Sequence, residues 1–346
     1  MGMHPRRLRP ILGALMVVAL AMAMTLGLSV HQVGRQRDAV AAIERSGGWV
    51  IHESPNNPGA RLDLRALPPW RRWLVDRLGI DHFGRVIMVH LGNGTDADLA
   101  HLAGSKALNT LDLSGIKVTD AGLAHLAGLT AMKELRLNNL ALAGPGLAHL
   151  RRMAALDDLQ LSGTGVTDAA LVHLAGLTRI RSLRLDGTPI AGPGLAHLRG
   201  MVALRYLDLR RTRVADLKSL PPLAGLELLK LDETPIDDAG LLRPPAFAKL
   251  SALFLDATRV TDAGLPSLAE LPAIGVVGLN KTGVTDAGLS GTAWPKSLRG
   301  IFAVDTAITR AAGAAFEAAR PGTFVSLDPF NLTPSLVLPD PPFMHK

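Results

Sequence analysis

The sequence predicts an α/β solenoid, with a curved parallel sheet inside and short helices and turns outside, behind one N-terminal transmembrane helix. Three observations predict it. A unit of 24 residues recurs, with starts at Leu108, Met132, Leu156, Ile180, Leu204, Leu226, Leu250, Ile274 and Leu298; only the unit at Leu204 is shorter, at 22. Within a unit, apolar residues hold positions 1, 4, 6, 11, 16, 19 and 22, which in the first are Leu108, Leu111, Leu113, Val118, Leu123, Leu126 and Leu129. Ahead of the array, Ile11 to Val30 is an uncharged apolar run.

The period dictates the architecture. Apolar side chains two apart share one face of a strand, and those three apart share one face of a helix. Each unit therefore reads as strand, turn and outer helix, and no unit buries its Leu layer alone. Position 9 is Thr in seven consecutive units, Thr164, Thr188, Thr212, Thr234, Thr258, Thr282 and Thr306, a residue suited to satisfying turn backbone. Thr-Asp pairs such as Thr119-Asp120 and Thr285-Asp286 read as caps of the outer helices, and Pro145 and Pro193 suit a first helical turn. An irregular first unit, RVIMVHLGNGTDADLAHLAG, and a closing GTFVSL bound the array.

The run 11–30 is twenty residues, about 30 Å of helix, which matches a bilayer core. Arg6, Arg7 and Arg9 before it favour a cytoplasmic N-terminus and an extracytoplasmic body. A cleaved signal peptide is the rival reading, from the small-residue spacing of Ala21-Met22-Ala23. The expected domains are a short cytoplasmic N-terminus (1–10), the anchor (11–30), a juxtamembrane segment and cap (31–83), the solenoid (84–327) and a Pro-rich tail (328–346). In the cap segment, Ala39 to Arg45 reads as a short helix and Trp49 to His52 as a strand. Ser54 to Gly59 reads as a loop, and Trp70, Trp73, Leu74 and Leu78 as a helical face over the first layer.

Composition narrows the function. The chain has 346 residues, 4% aromatics and no cysteine, which removes disulfides, thiolate metal sites and thiol nucleophiles. Its net charge of +7 is concentrated in residues 1–83, where eleven arginines face six acidic residues. The remainder is close to neutral, which argues against nucleic-acid binding. No P-loop, His-Glu-x-x-His or G-x-S-x-G motif occurs, so the reading is of a non-enzyme without cofactor or metal. His101, His125, His149, His173 and His197 recur every 24 residues on outer helices, which pack too far apart for a regular ladder of zinc sites. Asp120, Asp168, Asp238, Asp262 and Asp286 read as caps rather than calcium ligands.

These residues resemble leucine-rich-repeat proteins with 24-residue VTDAGLxHL-type units, over residues 85–327. Arg37 to Glu44, Gly47-Gly48-Trp49-Val50, Trp73-Leu74 and Phe83-Gly84-Arg85-Val86 are similar to the leader of many planctomycete single-span repeat proteins. The resemblance implies the fold, envelope anchoring and, as a generic expectation, protein binding. The expected site is the strand face pointing away from the core, where Arg136, Arg184, Asp186, Tyr206, Asp208, Arg210, Arg211, Lys230 and Phe254 combine charge and aromaticity. An unidentified protein is the expected partner, and a polysaccharide the alternative; a structural or wall-polymer-binding envelope protein is the second hypothesis.

Overall fold

The structure, a computed structural model, describes residues 34, 36–54, 57–61, 86–242 and 247–328. The proposed anchor, the Trp70–Leu78 face and the tail from Pro329 onward lie outside them. Among the described residues no helix is long and apolar enough to cross a membrane.

Positions 3–5 of each unit form a strand, because the apolar residue at position 4 is pulled into the core while its neighbours face out. The strands are β1 (Trp49–Ser54), β2 (Asn57–Arg61), β3 (Val86–His90), β4 (Thr110–Asp112), β5 (Glu134–Arg136), β6 (Asp158–Gln160) and β7 (Ser182–Arg184). They continue with β8 (Tyr206–Asp208), β9 (Leu228–Lys230), β10 (Ala252–Phe254), β11 (Val276–Gly278), β12 (Gly300–Phe302) and β13 (Phe324–Ser326). All lie in one 13-stranded sheet. From β3 to β13 each strand pairs in parallel with the next, and the register carries position 5 of one unit onto position 5 of its neighbour, as in Arg184↔Asp208. Leu108, Leu111, Leu113, Val118, Leu123, Leu126 and Leu129 are all fully buried, so the sequence register holds.

The outer segments are 3-10 helices in the earlier units, such as Gly122–Leu126 and Asp168–Leu174, and α-helices later, such as Asp286–Gly291. The shortened unit at Leu204 has no regular outer helix. The repeated histidines sit on this outer side, half-buried or exposed.

At the N-terminal end the expected helix and strand are both present, each somewhat longer, and the expected loop is partly strand. Residues 36–45 are helical, and Val40 and Ile43 seal the first core layer. Strand β1 pairs antiparallel with β3, and β2 pairs antiparallel with β1. Part of the expected loop at Ser54 to Gly59 is therefore strand; Pro58 is compatible with that because β2 is the edge of the sheet. At the opposite edge, the backbone N–H of Val325 donates to the Glu317 carboxylate at 2.7 Å, which covers part of the strand edge.

Three repeated positions explain how units join. Position 8 is left-handed in every unit, first as Gly115, Asn139, Gly163 and Gly187, then as Arg211, Glu233, Ala257, Lys281 and Asp305 with φ of 54–57°. A non-glycine residue there costs roughly 1–2 kcal/mol. Ala257 is exposed, so Ala257→Gly removes the strain with no lost packing. After the entropy of a more flexible unfolded chain, a gain of about 0.5–1 kcal/mol in a denaturant titration is expected. At position 9 all seven threonines donate their hydroxyl to the carbonyl three residues earlier, as Thr164 does to Leu161 at 2.7 Å.

The aspartates at position 13 correct the capping assignment. Except for Asp216 in the shortened unit, which accepts from the N–H of Lys218 nearby, they do not cap their own helices but reach into the next unit. Asp168 accepts from the N–H groups of Ala191, Gly192 and Gly194 at 2.8, 3.1 and 2.7 Å. Asp262 accepts from the N–H and hydroxyl of Thr285, and Asp286 from those of Thr309. Local capping falls to Thr285, Thr309 and Asp237. Position 15 of the receiving unit is glycine at Gly122, Gly146, Gly194, Gly264 and Gly288, because a Cβ there would overlap the incoming aspartate. Where the preceding unit has Gly144 instead of Asp, position 15 is Ala170, and the two atoms fill one space. The final unit, with a ten-residue helix at Arg310–Ala319, is the exception: Ala312 stands at position 15.

Candidate partner-binding face

Positions 3, 5 and 7 of the strands make the concave surface. At its centre Tyr206 and Asp208 share a face of β8. The Tyr206 hydroxyl donates to Asp208 Oδ2 at 2.9 Å, and Arg210 clamps the same carboxylate through Nε (2.9 Å to Oδ1) and Nη2 (2.8 Å to Oδ2). Asp208 also accepts from the Arg210 backbone N–H at 3.1 Å. Its side chain is 0% exposed while Arg210 stays 34% exposed. Burial, then the adjacent Asp208, raises the Tyr206 phenol above its usual range; the hydrogen bonds to Asp208 raise the Arg210 guanidinium. The tyrosine thus stays a neutral donor and the arginine a fixed cation.

Cations roof this group. The Arg184 guanidinium lies 5.5 Å and the Lys230 ammonium 5.8 Å from the Tyr206 ring centre, and Lys230 stands at 5.8 Å from the Phe254 ring as well. Ring faces attract cations and hold these long side chains in place. Asp186 accepts from Ser162 at 2.5 Å and pairs with Arg211 at 3.8 Å, on the left-handed turn. Arg136 is further off, paired with Glu134 at 2.5 Å and with Asp112 at 3.7 Å.

The structure therefore brings Arg184, Tyr206, Asp208, Arg210, Lys230 and Phe254 together, joins Asp186 to Arg211 beside them, and sets Arg136 apart. Tyr206 and Asp208, expected to face outward, are covered: neighbouring strands lean arginine and lysine over them. They support the surface, and Arg184, Arg210, Arg211, Lys230 and Phe254 present it.

Trp49 was legible only as part of a strand. It stacks on His90 at 5.6 Å and is 49% exposed. His90 lies 3.5 Å from Asp112 and, by strand register, begins the row at position 5. The pairing of β1 with β3 creates this aromatic end, and no repeat position in the sequence points to it.

Along position 7, side chains bind the backbone of the following unit. Asn138 accepts from Ser162, Asp232 from Asp256, Asp256 from Asn280 and Asn280 from Val304. Burial, reinforced by the neighbouring Asp256, pushes the Asp232 carboxyl up to about 6. The ordinary unfolded value is about 3.9. Between them the folded state binds more protons, so stability falls as pH rises through that window and the penalty is complete above it. Asparagine serves the same role at 138 and 280. Asp232→Asn should stabilise the protein at pH 7.5, on the order of 1 kcal/mol, with the advantage fading by pH 4 in paired denaturation curves.

No protein-family model and no curated protein matches the chain. Among solved structures it is similar to an internalin (inlF) of Listeria monocytogenes, at 18% identity over 65% of this chain and 82% of that one, with a TM-score of 0.42. It is also similar to an internalin C2 (inlC2) of Listeria monocytogenes, at 21% identity, 67% and 83% coverage and a TM-score of 0.40. The repeat geometry itself makes the chain a leucine-rich-repeat solenoid.

Proposed function

We propose that the chain is a single-span, membrane-anchored protein that binds a protein partner through its concave face at the cell envelope. One observation carries the reading: Arg184, Lys230 and Phe254 are held in a preorganised cation–aromatic stack over a buried Tyr206–Asp208–Arg210 group. Arginine and aromatic side chains dominate binding hot spots, and prior fixation lowers the entropy cost of association. The uncharged run 11–30 supports anchoring, and the arginines before it support an extracytoplasmic body.

The full chain should stay with membranes after a high-salt wash, while a chain starting at Gln36 should not. A mature protein beginning near residue 24 would identify a cleaved signal instead. Crosslinking in membranes should recover a partner whose capture drops at least tenfold with Lys230→Glu. Recovery of only self-associated chain or wall polymer would favour the structural alternative.

A further inference from the structure

The concave surface changes character between β9 and β10. Every strand from β4 to β9 carries a charged residue at position 3 or 5, and from β10 to β13 none does. Here the floor is glycine and the relief is aromatic. The Phe254 ring lies over Gly278 and the Phe324 ring over Gly300, so that a Cβ at either glycine would overlap the ring. Phe302 meets Phe324 edge to face at 5.4 Å, and all three phenylalanines remain partly exposed.

The chain leaves the solenoid beside this strip. β13 ends at Ser326, one strand from Phe302. After Asp328, which pairs with Arg310, the sequence continues through Pro329, Phe330, Leu332, Pro334, Leu336 and Val337, and from Pro329 onward Asp340 and Lys346 are its only fully charged side chains. Asp256 at position 7 and Lys230 border the strip at Phe254, and from Gly278 to Phe324 positions 3 and 5 are uncharged; such a segment matches this apolar, aromatic end better than the charged centre. Proline-rich chains dock on aromatic grooves because their extended form costs little entropy on binding. Reach is adequate: from β13 to β10 is three strand spacings, about 14 Å, and five extended residues span about 15 Å. Tethering supplies an effective concentration of about millimolar, so weak intrinsic affinity suffices.

We propose that the segment from Pro329 onward lies on the Phe254–Phe302–Phe324 strip of its own chain. The proposal does not rest on the identity of any partner.

Chymotryptic cleavage at Phe330, Leu332, Leu336 and Phe343, mapped by mass spectrometry on the full chain in detergent, tests it directly. The reference is a synthetic peptide of residues 329–346. Cleavage in the chain should be at least tenfold slower than in the peptide, and Phe302→Ser should restore the peptide rate with an unchanged melting temperature. Equal rates in wild-type chain and peptide overturn the proposal without any variant. Protection that disappears on dilution also overturns it, by assigning the occupant to a second copy.

Discussion

Leu185→Arg is expected to abolish folding or lower the melting temperature severely, whereas Arg184→Glu, one residue earlier, leaves the protein folded with a much smaller drop. Leu185 is fully buried between the Leu layers of adjoining units. Its burial alone contributes about 1.5–3 kcal/mol, and an unpaired guanidinium in its place adds a desolvation cost of several more. Repeat stability is a sum of neighbour terms, so the damage spreads to the units on both sides. Arg184 is half-buried on the concave side, where its loss removes a contact with the Tyr206 ring and a compensating charge near the Asp158 carboxylate, together on the order of 1–2 kcal/mol. Reversing its charge should instead slow partner association, because it inverts the field of the patch. Thermal melts of both variants beside a binding assay separate scaffold from surface. A tolerated Leu185→Arg would show that the burial assigned to position 6 is wrong.

Gly194→Ala should be the most damaging single-methyl change in the array. A Cβ at Gly194 would overlap the backbone carbonyl and Cα of Asp168. Relief requires the two units to separate, which breaks the three N–H bonds that Asp168 accepts. Each stranded donor costs about 1–3 kcal/mol where water is excluded, and less where Ala191 is open to solvent. A loss of about 3 kcal/mol in a denaturant titration is expected from these contributions. The companion variant Asp168→Ala loses the bonds without the overlap and should lie at about half that loss. Equal stability of Gly194→Ala and wild type would refute the staple geometry.

Much of this architecture was legible in the sequence, and the reason is physical. Leu at positions 4 and 6 sets strand register, since a slip by one residue would turn every Leu outward. Thr at position 9 acts within its own turn, so inspection of one unit suffices. The aspartates at position 13 were misread because their partners lie 23 residues on. Reading one unit at a time turns a link into a cap. The burial of Tyr206 and Asp208 escaped the sequence for the same reason. Alternation on β8 correctly places Tyr206 and Asp208 on the concave side, but their burial depends on long side chains from β7 and β9, which alternation does not count. Trp49 became visible only through pairing that brings an antiparallel strand to the first repeat.

The matching of position 13 in one unit to position 15 in the next amounts to an adjacency rule, and it governs how such a gene can be cut and rejoined. Excising residues 156–179 would set Gly144 before Gly194, two small residues that coexist at the loss of one link. Excising residues 132–155 keeps the same period but brings Asp120 against Ala170, so the close approach that Gly146 allows is lost and the two units must part slightly, as Asp286 and Ala312 do at the last joint. Recombination between 24-residue units is therefore not neutral with respect to where it falls, although every product would look equally periodic.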